Sequence, residues 1–302
     1  MKRLALKIDV DTYRGTLRGV PALIELLQKH EAQASFLFSL GPDHTGRAIK
    51  RAFQPGFMKK ARRTSVVEHY GLLTLMSGTL LPGPDIGKRC ADILRAVRDA
   101  GYEVGIHCWN HTHWQDGVGT ADNAWVESEM DKACQRFAAI FGGQAAMHGA
   151  AGWQTNRHAL RLTQRKGFAY SSDGRGEFPF IPVIDGEIIA CPQLPTTLPT
   201  LDELIGVDDL SADNVADHLL QLTASAGTDQ IFTLRAELEG MKLIGVLDKL
   251  LAGWKAQGFE LVALRDIYAA LDLTSLPRHE VIFAELPGGS GKLFVQGPEF
   301  LG

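Results

Sequence analysis

The alternation of strand-like and helix-like segments is the feature that most constrains how this chain can fold. Apolar runs of strand length recur between amphipathic stretches of helix length. The candidate strands are LALKIDVD, QASFLFSL, YEVGIH, AAMHG, FAYSSD, QIFTLRA and FELVAL. Such alternation gives parallel strands with crossover helices, so the sequence predicts an α/β fold, a distorted (β/α) barrel of about seven parallel strands. An open doubly wound sheet is the alternative.

Composition and charge narrow the class of protein. A content of 45% hydrophobic and 22% charged residues, with a formal net charge of -4, argues against a general nucleic-acid binder. No signal peptide and no membrane span fit the sequence. The four cysteines stand far apart without a Cys-x-x-Cys spacing, which is typical of a reducing compartment. We therefore expect a cytoplasmic protein.

The chain divides into a single predicted domain and a tail. The strand–helix rhythm runs through residues 1–286 and is interrupted by an insertion at about 44–84. Residues 287–302 are rich in glycine and resemble a linker or tag remnant, so we expect them to lie outside the fold. Gly291-Lys292 is not a phosphate loop, because Leu293 replaces the required Ser or Thr.

The insertion is strongly basic. Between His44 and Val67 there are seven basic residues and no acidic one, followed by the apolar run GLLTLMSGTLLPGP. Such a segment suits a surface that carries anionic headgroups and acyl chains, although a solvated helix followed by a buried one fits equally well. The candidate contacts to membrane and lipid phosphate are Lys50, Arg51, Lys59, Lys60, Arg62 and Arg63.

Polar residues at two predicted strand ends suggest a metal site. Asp9 and Asp11 are two apart, so both point to one face at the end of the first strand. His107 and His111 lie at a strand end and just beyond it. One carboxylate and two imidazoles can bind a divalent metal and leave positions open for water and substrate. His113 is expected on the opposite side, in a supporting or surface role.

Three motifs carry a resemblance to a known family. DVD, HCWNH and TLRAELEG are similar to motifs of the NodB-type polysaccharide deacetylases, over about Lys2 to Leu286. The resemblance implies a distorted barrel that removes N-acyl groups with a metal-activated water. HGAAGWQTN and YSSDGRGEFPF resemble a branch that deformylates a formamido sugar carried on undecaprenyl phosphate. That branch implies lipid A modification, polymyxin resistance, and a peripheral location at the cytoplasmic face of the bacterial inner membrane.

The resemblance also implies roles for individual residues. Asp11, His107 and His111 would hold zinc, cobalt or manganese, and Asp9 would be the general base. His148 stands where many relatives carry an arginine, so it either orients Asp9 or is a hydrogen-bonded loop histidine. Asp173 would tune a neighbouring imidazole, bind sugar hydroxyls or cap a helix.

Arg235 departs from the family pattern. The motif ends in a histidine that protonates the leaving amine, and an arginine stays protonated at any workable pH. We therefore expect weak activity or none. The alternatives are a polysaccharide N-deacetylase, which would require export, and a non-catalytic binder of lipid-linked sugar.

Overall fold

A curled sheet of seven parallel strands forms the centre of the protein. The computed structural model describes residues 2–47, 83–288 and 291–301. The strands are β1 Lys2–Val10, β2 Ser35–Ser39, β3 Glu103–Cys108, β4 Met147–His148, β5 Tyr170–Ser171, β8 Gln230–Arg235 and β9 Phe259–Val262. Their order is β5-β4-β3-β2-β1-β8, and β9 pairs with the first half of β1. The prediction of about seven parallel strands is confirmed.

An extended segment bridges the two edge strands of this sheet. The backbone N–H of Leu194 donates to the carbonyl of Ser171 in β5, at 2.7 Å. Three residues later, the N–H of Thr197 donates to the carbonyl of Ile231 in β8, at 3.0 Å. Residues 194–197 therefore connect β5 to β8 by backbone hydrogen bonds and turn the curled sheet into a distorted barrel.

Helices pack around the outside of the sheet. They are α1 Val20–Lys29, α2 Ile86–Arg89, α3 Ala91–Asp99, α4 His111–Gly117, α5 Asn123–Phe141, α6 Arg157–Arg165, α7 Leu201–Leu204, α8 Val215–Ala224, α9 Ile244–Ala256 and α10 Leu264–Tyr268. The longest, α5, starts at Asp122, whose side chain accepts from the N–H of Trp125, and stops at Gly142 with φ of 78°. Within the described ranges, none is long and apolar enough to cross a bilayer.

The alternation along β1 separates two cores. Leu6, Ile8 and Val10 are fully buried in the large cluster between sheet and helices, whereas Ala5 belongs to a smaller cluster inside the barrel. Lys7 and Asp9 have the same parity as Ala5, so they share its face of the strand. The polar face of β1 therefore points into the barrel rather than into solvent.

A second sheet of four strands packs beside the barrel. Its strands are β6 Ile181–Ile184, β7 Glu187–Ile188, β10 Arg278–Glu285 and β11 Lys292–Glu299, in the order β11-β10-β6-β7. The side chain of Phe294 is fully buried, and the Gln154 side-chain amide donates to the Lys292 carbonyl at 2.7 Å.

The expectation that residues 287–302 lie outside the fold is therefore wrong. Gly297 and Pro298 weaken the strand signal of the tail. The antiparallel pairing of β11 with β10 nevertheless makes it a strand.

Replacing Phe294 by alanine tests whether the tail stabilises the fold. Removing a fully buried phenylalanine leaves a cavity and costs about 3–5 kcal/mol, so the urea midpoint should fall markedly. Phe283 of the same hairpin is 39% exposed, and its change to alanine is the matched control with a smaller loss. Equal midpoints for the two variants would show that Phe294 adds nothing to the core.

Candidate metal centre

The carboxyl end of β1 brings two acidic side chains to the mouth of the barrel. Asp9 pairs in register with Leu37 of β2 and Arg235 of β8, and Asp11 follows the end of the strand. The two aspartates are only 7% and 6% exposed. Two buried carboxylates so close together require compensating positive charge or shared protons.

Two histidines converge on Asp11. His107, near the end of β3, places Nε2 at 3.1 Å from Asp11 Oδ1. His111 opens α4 and places Nε2 at 3.4 Å from Asp11 Oδ2. Asn110 caps this helix by accepting from the N–H of His113, which fixes the direction in which the first turn leaves the strand. The structure thus brings together the three residues proposed as ligands.

The backbone holds His107 in one tautomer. Its Nδ1 lies 2.7 Å from the carbonyl oxygen of Gly149, which can only accept a hydrogen bond. One proton therefore resides on Nδ1, and Nε2 is left to face Asp11. A ring fixed in this way by an outer carbonyl is the usual arrangement of a metal-ligating histidine.

The donor atoms fit a divalent cation. One ligand atom from each of Asp11, His107 and His111 can be chosen so that all three lie within 4.8 Å of one another. In the described part of the chain, Asp11 Oδ1 and His107 Nε2 are buried without a hydrogen-bond partner. A cation between them would satisfy both atoms, and this donor set accepts zinc, cobalt or manganese.

Charge coupling within the cluster shifts its protonation equilibria. Burial alone would raise the pKa of Asp11, but His111 and His107 outweigh burial and lower it. Burial opposes the charged form of His107, yet Asp9 and Asp11 raise the pKa of this ring. Without metal, a proton on the His107 ring therefore provides balancing charge, and metal binding must displace it.

Two acidic residues after β8 belong to the same region and were missed by the sequence analysis. Glu237 is fully enclosed beside Asp11, and burial together with the Asp11 charge raises its pKa well above the ordinary value. Glu239 accepts from the Arg235 N–H at 2.8 Å, and burial raises its pKa to about 7. Their position in RAELEG, directly after a strand, was an available signal.

Asp9 lies beside the cluster without a hydrogen bond to it. Its Oδ1 is 3.8 Å from His107 Nδ1 and 3.8 Å from Lys7 Nζ. Among the described residues this buried oxygen has no hydrogen-bond partner. Asp9 is thus close to the three candidate ligands while one of its oxygens stays available to accept a proton.

His148 does not orient Asp9. In β4 it is in register with Ile106 of β3, which places it on the face opposite to His107. Its Nδ1 lies 2.7 Å from Asp173 Oδ1. The predicted role of His148 in orienting Asp9 is therefore wrong, because the register turns this side chain toward the helices.

Asp173 is buried behind the cluster and connects neighbouring loops through its hydrogen bonds. Besides His148, it accepts from the Ala150 N–H at 2.9 Å and from the Gln193 side-chain amide at 3.0 Å. Burial would raise the pKa of Asp173, but His148 and the other hydrogen-bond donors lower it. Of the roles considered, tuning a neighbouring imidazole fits these contacts. By fixing Ala150, Asp173 also holds the adjacent Gly149 carbonyl that orients His107.

Arg235 ends β8 at the mouth of the barrel, as its place in the motif predicts. Its guanidinium forms an ion pair with the carboxylate of Asp202 at the start of α7. The side chain is 25% exposed, so the pair lies at the rim rather than in the interior. The structure therefore places a permanent positive charge at the rim of the barrel mouth, paired with Asp202.

His113 is separate from the cluster. Its ring is half exposed, with Nδ1 at 3.6 Å from Glu129 Oε2 and an edge against Trp125. This arrangement agrees with the supporting or surface role expected for His113.

The basic insertion lies outside the described residues, including Lys50, Arg51, Lys59, Lys60, Arg62 and Arg63. The described residues at its two ends lie side by side, since the Asp43 N–H donates to the Pro84 carbonyl at 2.9 Å. His44 is 2.6 Å from the Asn110 side chain, next to His111. The described residues that flank the insertion therefore lie beside the candidate metal centre.

Fold and site together define a class: a curled barrel of parallel strands with a carboxylate and two imidazoles at the carboxyl ends. Residues 2–171 match the family model described as polysaccharide deacetylase. A crystal structure from Mycobacterium smegmatis, assigned as a polysaccharide deacetylase, superposes with a TM-score of 0.62 at 15% identity. The superposition covers 94% of this chain and 96% of that one, and it shows the fold.

Two curated relatives extend this similarity over nearly the whole chain. Both are named probable 4-deoxy-4-formamido-L-arabinose-phosphoundecaprenol deformylase ArnD. The relative from Shewanella sediminis is 38% identical, over 96% of this chain and 93% of its own length. The relative from Wigglesworthia glossinidia brevipalpis is 29% identical, over 93% and 98%. The chain belongs to the polysaccharide deacetylase family, whose members are amide hydrolases.

Changing Asp11 to asparagine tests the metal centre. Loss of a supporting residue alone costs about 10- to 100-fold in metal affinity, so loss of the carboxylate ligand should cost at least that much. We expect the metal content of protein purified without chelator, measured by mass spectrometry, to fall toward zero. His113→Ala is the matched control and should retain metal. Equal metal content in Asp11→Asn and in the parent would show that Asp11 is not a metal ligand.

Proposed function

We propose that this chain is a metal-dependent deformylase of undecaprenyl-phosphate-linked 4-deoxy-4-formamido-L-arabinose, giving the 4-amino sugar and formate. The observation that carries the proposal is the cluster of Asp11, His107 and His111, with Asp9 alongside and buried donor atoms left unpartnered. The substrate is suggested by the names of the two full-length relatives. The pathway served would be lipid A modification, which confers resistance to polymyxin.

The chain's own residues supply most of the chemistry. A divalent metal held by Asp11, His107 and His111 would supply Lewis acidity toward the formyl oxygen and the attacking water. Asp9, with an unpartnered Oδ1, accepts the proton of that water as it attacks the formyl carbon. The carbon–nitrogen bond then breaks, the nitrogen takes up a proton, and formate and the amino sugar separate.

Arg235 limits the last step. Protonation of the leaving amine needs a group that gives up a proton and regains it, and a guanidinium does not do so at neutral pH. The fixed charge of Arg235 can still stabilise negative charge on the reacting oxygen, provided that its ion pair with Asp202 allows it to turn inward. We therefore propose that the chain binds substrate and deformylates it slowly.

Arg235→His tests the role of position 235. Restoring a titratable imidazole should raise formate release from the lipid-linked sugar by about 10²- to 10⁴-fold, the usual contribution of general acid catalysis. Arg235→Gln removes the same charge without adding an acid, so this control should show no such gain. An unchanged rate in Arg235→His would mean that position 235 does not transfer the proton.

The same assay separates the competing functions. The family-model match supports a polysaccharide deacetylase as the second candidate, and such an enzyme would release acetate from acetylated oligosaccharides rather than formate. A non-catalytic binder would bind the lipid-linked sugar and release neither acid, even as Arg235→His.

We also propose that the protein acts at the cytoplasmic face of the bacterial inner membrane, as a peripheral protein. The lipid carrier presents a phosphate and an isoprenoid chain, which suit the basic and apolar parts of the insertion. The contacts between Asp43 and Pro84 and between His44 and Asn110 show that the described residues at the two ends of the insertion lie beside the candidate metal centre. Membrane binding through the insertion would therefore bring the sugar to the barrel mouth.

Vesicle sedimentation tests the membrane contact. Changing Lys59, Lys60, Arg62 and Arg63 to serine should abolish binding to anionic vesicles, since each basic residue near the surface contributes about 1 kcal/mol. The matched control carries serine at Lys29, Lys242, Lys249 and Lys255, which lie outside the insertion, and should sediment like the parent. Sedimentation of the insertion variant at the level of the parent would refute the proposed contact.

A further inference from the structure

A lysine is enclosed inside the barrel, next to the candidate general base. Lys7 is fully buried and lies two residues before Asp9 on the same face of β1. Its stem passes close to Gly149, where an added Cβ would lie 3.3 Å from Lys7 Cε. The position of this ammonium is therefore set by the strand on one side and by the loop after β4 on the other.

The neutral partners of Lys7 do not balance its charge. Nζ donates to the Ser172 carbonyl at 2.8 Å and lies 5.8 Å from the centre of the Trp153 ring. A fully buried lysine is rare unless it is paired with an anion, because removing an ammonium from water is costly. Among the described residues, one carboxylate lies within 4 Å of Lys7 Nζ. It is that of Asp9, whose Oδ1 is 3.8 Å from Nζ.

The contacts of Asp9 also indicate that it pairs with Lys7. Its Oδ1 lies equally far from Lys7 Nζ and from His107 Nδ1, but the Nδ1 proton already goes to the Gly149 carbonyl. Lys7 has three donors, and one of them is used by Ser172. At 3.8 Å the ammonium attracts the carboxylate without a direct hydrogen bond, so Oδ1 keeps its lone pairs.

His148 does not orient Asp9, because it binds Asp173 on the other face of the sheet. We propose that Lys7 is the positioning residue of Asp9: its buried ammonium holds the carboxylate in place, directed toward the metal centre. This inference rests on the proposed function for the role of Asp9 as base. The ion pair itself does not depend on that function.

A double-mutant cycle tests the pair without any assay of activity. The melting temperature is measured, with Zn²⁺ in excess, for the parent, Lys7→Met, Asp9→Asn and the double variant. In the parent, Asp9→Asn leaves the buried ammonium of Lys7 unpaired, whereas in the Lys7→Met background no ammonium is present. We therefore expect Asp9→Asn to lower the melting temperature at most half as much in the Lys7→Met background as in the parent. Lys7→Met with Asp202→Asn is the control pair and should be additive. Additive effects of Lys7→Met and Asp9→Asn would overturn the proposal.

Kinetics and metal binding give the second readout. In whichever of the parent and Arg235→His releases formate, Lys7→Met should lower kcat by about 10- to 100-fold with little change in KM. Lys7→Arg keeps the charge and should retain more activity than Lys7→Met. Zn²⁺ affinity should not fall in Lys7→Met, because Lys7 is not among the three candidate ligands. An unchanged kcat in Lys7→Met would show that the ion pair of Lys7 is only structural, and it would overturn the positioning role.

Formate release by neither the parent nor Arg235→His would contradict the proposed function. The melting temperatures would still decide whether Lys7 and Asp9 interact, so the two failures are distinguishable.

Discussion

The burial of charge at the mouth of the barrel is the constraint on which the rest of the structure depends. Asp9 and Asp11 are both more than nine-tenths buried, on a strand that is itself enclosed between two apolar clusters. Such charges are tolerated only where opposite charge or hydrogen bonds compensate them. Around these two aspartates the compensation comes from His107, His111 and Lys7. It is incomplete, since within the described part of the chain Asp9 Oδ1, Asp11 Oδ1 and His107 Nε2 are buried without a hydrogen-bond partner. An incomplete balance of this kind favours the uptake of a cation.

The surrounding fold keeps those charges in place. Gly149 fixes the ring of His107, and Asp173 fixes the loop that carries Gly149 by accepting from the Ala150 N–H. Arg175, two residues beyond Asp173, forms a buried ion pair with Glu203 at 2.6 Å. The backbone N–H of Arg175 donates to the Phe294 carbonyl of β11. The second sheet thus supports the loop region behind the metal centre, although it lies outside the family-model match of residues 2–171.

Sequence patterns predicted the parts of this protein that follow from local periodicity. The seven parallel strands were readable because each is short, apolar and separated by a helical stretch, and strand ends located Asp11, His107 and His111. The partner of His148 was not readable, because it depends on the register between β3 and β4. The burial of Lys7 was not predictable either, since alternation does not distinguish a barrel interior from solvent. The second sheet was missed because β11 contains Gly297 and Pro298, and β6 and β10 are far apart in sequence.

The residue at position 235 contributes to the charge balance at the barrel mouth. Arg235 is in register with Asp9, so it lies at the same level of the barrel as the candidate base. A histidine here could pass between neutral and charged forms, whereas an arginine adds a permanent positive charge, which Asp202 partly offsets at the rim. Lys7 contributes a second positive charge inside the barrel, with Nζ at 3.8 Å from Asp9 Oδ1. The mouth of the barrel therefore carries more positive charge than it would with a neutral histidine at this position.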